Sequence, residues 1–381
     1  MKSKLVIGFL TCTNPLDKNS WSGTHYRMFK ALEDQFEQVI PLGPIPTNRI
    51  INGIIRRIDH LSQKVFKKKY NREHNFLKSW YYSRYTSRKI KNQKIDILFA
   101  AASSGALVFL KTKTPICICD DATFNQLLEY YPNYSNILNF SIKESTFLFK
   151  KVIKKTKFLI YPSEWAANDA VIQFGLKKQD VHVVGFGANI NYLPNKNIIK
   201  TRDYSSKINI LFLGRDWERK GGEIVLETFN VLAKKGYDIE LTVCGCVPPV
   251  THPKMKVIPF LNKNIKNEKK EFNDLLYKSH ILFVPTRAEC YGIVFCEAAA
   301  FGIPVITTDT GGVSSIVKNS INGYALPYDS KPQDYANQIQ SLLDDPQQIE
   351  RMALAALDKF ENILNWNVWG TKIKEIFLSQ K

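Results

Sequence analysis

The sequence predicts an α/β protein of two domains, each a parallel sheet with crossover helices. Three observations carry this: the length, the alternation of two apolar periodicities, and one aperiodic stretch between two such runs. The 381 residues exceed one average domain and suffice for two cores of moderate size. With 44% hydrophobic and 23% charged residues, the composition excludes disordered and fibrous classes.

Short β-branched runs alternate with longer amphipathic ones, as in repeated βαβ units. In the first half, strands are expected at 4–10, 38–42, 95–100, 115–119, 158–161 and 181–184. In the second half they are expected at 208–213, 240–244, 256–259, 281–285 and 305–307, with helices in the gaps of both halves. Residues 189–207, NINYLPNKNIIKTRDYSSK, are polar, contain a proline and show no periodicity, so they are the expected interdomain linker. The domains accordingly fall at 1–190 and 207–363, with a final helix at about 364–381.

Charge is unevenly spread. Residues 1–200 hold 31 Lys and Arg against 14 Asp and Glu, whereas the other 181 residues hold 22 against 21. The excess concentrates in 51–94, with thirteen basic and two acidic residues, and Trp80, Tyr81, Tyr82 and Tyr85 lie among Lys78 and Arg84. That mixture suits the headgroup layer of an anionic membrane, and it also suits a solvated helix face, as charge runs usually are. Nucleic-acid binding would explain the charge and nothing else, so no nucleic-acid partner is expected. The opening MKSKLVIGFLTCTNP reads as a first strand, and no apolar run reaches the roughly 18 residues of a membrane span. A cytoplasmic protein is expected, soluble or peripheral on the inner face of the membrane. The seven cysteines are odd in number and lie mostly in apolar strand-like runs, which fits a reducing compartment. Cys117 with Cys119, and Cys244 with Cys246, lack metal-site spacing, and alternation would set each pair on one strand face in the core.

The most informative window is 285–317, PTRAECYGIVFCEAAAFGIPVITTDTGGVSSIV, read as a turn, a helix and a strand after a hydrophobic strand. A helix beginning near Gly292 aims the amides of Ile293 and Val294 beyond that strand, and such an end attracts phosphate. Glu289 precedes the helix and Glu297 rides on it, eight positions on. Carboxylates accept hydrogen bonds from hydroxyls, so this pair can hold two polyol groups flanking a diphosphate; two solvated glutamates are the alternative. In 210–236, ILFLGRDWERKGGEIVLETFNVLAKKG, Arg215 and Lys220 follow a strand near a helix start. Two cations there supply charge-assisted contacts to a leaving diphosphate, unless RDWERK is simply a charged loop.

Glu289, seven intervening residues and Glu297, followed by AAAFGIPVITTDTGG, resemble the signature of retaining glycosyltransferase family 4. The segment 210–236 resembles the strand, turn and helix that open that family's donor domain. Weaker echoes, NSWSGTHYRMFKALE, YPSEWAANDAVIQFG, VVGFGANIN and NWNVWGTKIKEIF, keep the family's order and extend the likeness over most of the chain. The resemblance implies the GT-B fold, two Rossmann-like domains with parallel sheets facing across a cleft. It makes 1–190 an acceptor domain, 207–363 a nucleotide-sugar donor domain, and the last helix an element that packs back on the first.

The same resemblance implies that Glu289 lies against the donor sugar and that Glu297 binds ribose. Gly214, Tyr291, Gly292, Ile293 and Val294 would line the donor, and Arg215 and Lys220 would grip its diphosphate. Asp121 would join Glu289, Arg215 and Lys220 as the catalytic set, although a helix N-cap suits Asp121 equally. Gly23, Thr24, Asp121 and Asn189 would face the acceptor. The chain departs from the pattern at Cys119, Asp120 and Asp121, where many members carry a His-Asp pair, at Gly23-Thr24, where a double glycine is common, and at Ser315, where many carry an acid. The implied activity is transfer of a hexose-type sugar from a UDP- or GDP-sugar, with retention, to a glycan or lipid-linked acceptor in cell-surface polysaccharide or glycolipid assembly. No metal or other cofactor is implied. A nucleotide-sugar epimerase or a phosphorylase on the same fold remains open, because fold does not fix function.

Overall fold

The computed structural model describes residues 1–190 and 202–379; the centre of the expected linker, 191–201, lies outside the described residues. The chain divides into two compact units, 1–184 with 370–381, and 185–369.

The first unit is built on β1 (Ser3–Leu10), β2 (Phe36–Pro41), β3 (Ile97–Ala101), β4 (Ile116–Cys119), β5 (Phe158–Tyr161) and β6 (Val181–Val183). They form one six-stranded parallel sheet in the order β2-β1-β3-β4-β5-β6. Its helices are α1 (Thr24–Gln35), α2 (Arg49–Phe66), α3 (Phe76–Ile90), α4 (Phe124–Leu127), α5 (Asn139–Ile153) and α6 (Glu164–Phe174). Both sheet faces are covered, which is why its strands read as nearly continuous apolar runs. One register row is Phe9, Phe99, Cys117 and Phe158; the next, on the opposite face, is Leu10, Ala100, Ile118 and Leu159. The first row is closed by Phe377 from the terminal helix, whose ring lies 4.9 Å from Phe158 and 6.0 Å from Phe36.

The second unit holds β7 (Ile208–Leu213), β8 (Ile239–Cys244), β9 (Met255–Ile258), β10 (Ile281–Val284), β11 (Val305–Thr308) and β12 (Gly323–Leu326). Their order is β12-β11-β10-β7-β8-β9, again all parallel. The accompanying helices are α7 (Gly222–Lys234), α8 (Lys266–Lys278), α9 (Ile293–Ala300), α10 (Pro332–Leu343), α11 (Pro346–Asn362) and α12 (Trp366–Leu378), the last belonging to the first unit from 370 onward. From β7 the chain winds outward through β8 and β9, then returns to β10 on the other flank. The order therefore reverses between β7 and β10, and sheets of this kind bind ligands in the crevice at the carboxyl ends of the strands where that happens.

Two expectations need correction. β12 was not among the expected strands: its four residues, GYAL, carry too little β pattern, and its pairing with β11 makes it a strand. Cys246 lies beyond β8, because Gly245 turns the chain in a left-handed conformation (φ +104°) where a Cβ would stand 2.7 Å from the Gly214 carbonyl oxygen. Cys244 and Cys246 therefore do not share a strand face, whereas Cys117 and Cys119 do, and both of the latter are buried. Among the described residues, no helix is long and apolar enough to cross a membrane.

At the carboxyl end of β4, burial and the neighbouring Asp121 carboxylate push the Asp120 carboxyl up to about 8. The folded chain then holds a proton that the unfolded chain releases near pH 3.8, so this group's contribution to stability falls as pH rises from about 4 to about 8. Asp120→Asn is accordingly expected to raise the melting temperature above pH 8, on the order of 5 °C, with the gain vanishing toward pH 4. Melting curves across that range check it, and parallel pH profiles for the two proteins would overturn it.

Candidate functional site

The site grows out of two loops at the reversal point of the second sheet. Gly214 follows β7 directly, and the absence of a side chain there leaves room for the Lys220 stem, whose Cγ would lie 2.8 Å from a Cβ. The intervening turn is anchored by Trp217, which is buried with its ring 5.2 Å from Phe212, and the Gly222 amide donates to the Trp217 carbonyl at 2.8 Å. Gly221, left-handed at φ +76°, then starts α7 against the neighbouring loop: a Cβ here would stand 2.1 Å from the Pro285 carbonyl oxygen.

That neighbouring loop leaves β10 at Pro285. The Arg287 amide donates to the Arg219 carbonyl at 2.7 Å, and the Arg219 guanidinium donates to the Ala288 carbonyl at 2.8 Å. With the backbones joined in this way, the Lys220 ammonium and the Glu289 carboxylate form an ion pair, their side chains only 10% and 14% exposed. The loop ends at Gly292 (φ +102°), where a Cβ would strike the Phe295 ring. From it starts α9, whose N-cap residue Gly292 has no side chain to offer, with Ile293 and Val294 partly exposed. Amides at a helix start carry partial positive charge and suit an anion.

Glu297 is buried on α9, and its carboxylate meets the Lys263 ammonium at 2.5 Å. A buried acid needs such a partner, since an unpaired charge out of water is strongly unfavourable. Lys263 comes from the loop after β9 and also lies 4.3 Å from the centroid of the Phe272 ring. From the loop after β7, the exposed Arg215 guanidinium stands 4.9 Å over Phe260. Cations and carboxylates from three loops are thus held at one edge of the sheet. A bound diphosphate would find cations and helix amides there, and polyols would find carboxylate acceptors.

The remaining sequence-derived residues are placed less uniformly. Tyr291 points inward: its hydroxyl donates to the Phe186 carbonyl at 3.2 Å and its ring meets Phe186 edge-on, which leaves only its backbone for a ligand. Asn189 is buried, its side-chain oxygen accepting from the Trp366 indole N–H at 3.1 Å. Gly23 ends a turn in which Trp21, Ser22 and Gly23 are successively left-handed, and the buried Thr24 opens α1. Asp121 is not a helix cap. Thr123 caps α4 instead, accepting from the Gln126 amide while the Gln126 side chain accepts from the Thr123 amide. Asp121 lines a hollow of about 270 Å³ in the first unit with Cys12, His74, Lys78, Ser103 and Asp120.

Burial lowers His74 to about 4, so an uncharged imidazole lines that hollow near neutral pH. His74, Lys78, Arg219 and Lys263 were missed by sequence reasoning, since nothing in their local sequence marks the distant loops they meet. Among the described residues, no three His, Cys, Asp or Glu side chains gather as a metal site requires.

Residues 195–358 match the family of glycosyl transferases group 1. Over 110 residues the chain is 31% identical to glycogen synthase of Mycobacterium tuberculosis (strain CDC 1551 / Oshkosh), covering 28% of this chain and 26% of that one. Over 237 residues it is 22% identical to D-inositol 3-phosphate glycosyltransferase of Paenarthrobacter aurescens (strain TC1), covering 56% of this chain and 55% of that one. The matches thus span less than two thirds of either relative's length. In three dimensions, a glycosyltransferase from Rickettsia africae ESF-5 superposes with a TM-score of 0.66 over 99% of this chain and 98% of its own, at 16% identity, a likeness of fold. Two Rossmann-like units of this kind make up the GT-B fold, and residues 195–358 carry this chain's similarity to the glycosyl transferases group 1 family.

Proposed function

We propose that this chain is a retaining hexosyltransferase of glycosyltransferase family 4. It moves a hexose-type sugar from a UDP- or GDP-sugar to a glycan or lipid-linked acceptor, in assembly of a cell-surface polysaccharide or glycolipid. The observation that carries this reading is the Lys220–Glu289 pair at the reversal point of the sheet, beside the start of α9 at Gly292. In this reading residues 207–363 take the donor and 1–190 take the acceptor. The named relatives, a glycogen synthase and a D-inositol 3-phosphate glycosyltransferase, support sugar transfer as the reaction class.

As the bond between the anomeric carbon and the diphosphate breaks, negative charge develops on the departing oxygens. Lys220, Arg215 and the amides of Ile293 and Val294 neutralise it, doing what a metal ion does in other transferases. The acceptor hydroxyl attacks the anomeric carbon from the face the diphosphate is leaving, and its proton passes to a diphosphate oxygen. Donor binding exchanges the partner of Lys220 from Glu289 to phosphate, which releases the Glu289 carboxylate to accept from sugar hydroxyls. Glu297 makes the same exchange from Lys263 to the ribose. In the first unit, Asp121 and the hollow it shares with His74, with Gly23 and Thr24, are read as the acceptor's side.

Acceptor-dependent release of nucleoside diphosphate tests the class of reaction, since an epimerase would change the donor sugar without an acceptor. Lys220→Ala is expected to lower transfer by about a hundredfold or more and to weaken nucleoside diphosphate binding. Glu289→Gln should lower transfer similarly, yet tighten nucleoside diphosphate binding by up to about tenfold, because Lys220 loses its competing partner. Calorimetric titration with UDP and GDP, beside turnover assays, separates these outcomes; near-native turnover in both variants would overturn the assignment. Turnover is also expected to survive excess EDTA, and its loss, restored by magnesium, would show that a metal carries the leaving-group charge.

A further inference from the structure

The helix α2, Arg49–Phe66, is turned opposite to an ordinary surface helix. Its buried positions are Ile55, Asp59 and Ser62, while Ile50, Ile54, Ile58, Leu61 and Val65 are exposed, Ile50 by 75% and Val65 by 65%. At about 100° per residue, these five apolar side chains fall on one stripe within roughly 80° of arc. A soluble helix normally buries such a stripe against its own core.

Polar contacts fix the inverted orientation. The Asp59 carboxylate accepts from the Tyr70 amide at 2.9 Å, the Ser62 hydroxyl donates to the Lys68 carbonyl at 2.7 Å, and Asn136 donates to the Lys67 carbonyl at 2.8 Å. At its start, Asn48 accepts from the amides of Ile50 and Ile51. The stripe is therefore a built surface and cannot roll inward without breaking buried hydrogen bonds.

Charge identifies the occupant. The single acid of α2, Asp59, lies on the buried side, whereas Arg57 and Lys64 border the stripe and Arg49, Arg56 and Lys67 continue the exposed basic arc. A second copy of this chain would bring like charges together, and protein interfaces are generally depleted in lysine. An apolar stripe bordered by cations suits the interfacial layer of an anionic bilayer. The aromatic cluster of 51–94 does not form that surface. Tyr81, Tyr82 and Tyr85 pack against the core of the first unit, and Trp80 lies under the Arg84 guanidinium at 5.5 Å.

We propose that α2 docks this protein on anionic membranes, with Ile50, Ile54, Ile58, Leu61 and Val65 in the acyl boundary and Arg57 and Lys64 on lipid phosphates. None of these residues is among those assigned to sugar transfer, so failure of either reading leaves the other intact.

Flotation of the full chain with phosphatidylcholine vesicles, with and without phosphatidylglycerol at about one part in three, tests it. The native chain should float with the anionic vesicles and remain in the dense fraction with the neutral ones. Ile54→Glu with Leu61→Glu, both at exposed positions, should lower the bound fraction at least about tenfold, while Ile54→Leu with Leu61→Ile should bind as the native chain does. Arg57→Gln with Lys64→Gln should weaken binding and flatten its salt dependence. Melting temperatures of all variants within a few degrees of native exclude misfolding as the cause. Native-like flotation of the glutamate variant, no flotation of the native chain, or a native dimer in solution that the glutamate variant turns into a monomer would each overturn the proposal.

Discussion

Two turns from strands that are neighbours in space but 67 residues apart in sequence, those carrying Arg219 and Thr286, are held at backbone contact at the reversal point of the second sheet. Gly221 permits this, because any side chain there would collide with the Pro285 carbonyl, and the hydrogen bonds of Arg219 and Arg287 close the two loops on each other. Once they are joined, the positions of Lys220 and Glu289 follow. Ile210, Leu211 and Phe212 of β7 and all of ILFV in β10 are buried, so the loops rest on a rigid base.

The charges carried by these loops are expensive to enclose and are therefore paired. Lys220 with Glu289, and Lys263 with Glu297, are well shielded, and pairs of this kind contribute more to specifying an arrangement than to net stability. In the proposed reaction each pair would give way to an exchange, the lysines taking a diphosphate and the glutamates taking hydroxyl donors, so that buried charges would stay satisfied before and after.

The first unit follows the same architectural rule with a different use of polarity. Its order reverses between β1 and β3, and the hollow lined by Asp120, Asp121 and His74 opens at the carboxyl ends of these strands. There burial keeps His74 uncharged and favours the protonated Asp120, so both groups lining the hollow are neutral near pH 7. On α2, by contrast, a buried carboxylate is kept for its hydrogen bond to Tyr70, and the apolar stripe is left outside. The same physical rule, that an enclosed polar group must be satisfied, shapes both.

The amino-acid sequence alone determined the strands whose both faces are buried, because a run such as FLIY at β5 or ILFL at β7 admits few other readings. It also determined the spacing from Glu289 to Glu297, since a turn followed by a helix is a local matter. Tertiary structure alone decided that GYAL would pair as β12, that Tyr291 would turn inward to Phe186, and that Lys263 would reach Glu297. It likewise turned α2 over: periodicity marks the apolar stripe, but hydrogen bonds from the Tyr70 amide to Asp59 and from the Ser62 hydroxyl to the Lys68 carbonyl set which way the stripe faces. Local patterns record what a segment prefers by itself, whereas the direction of a side chain depends on the satisfaction of groups brought to it by the rest of the chain.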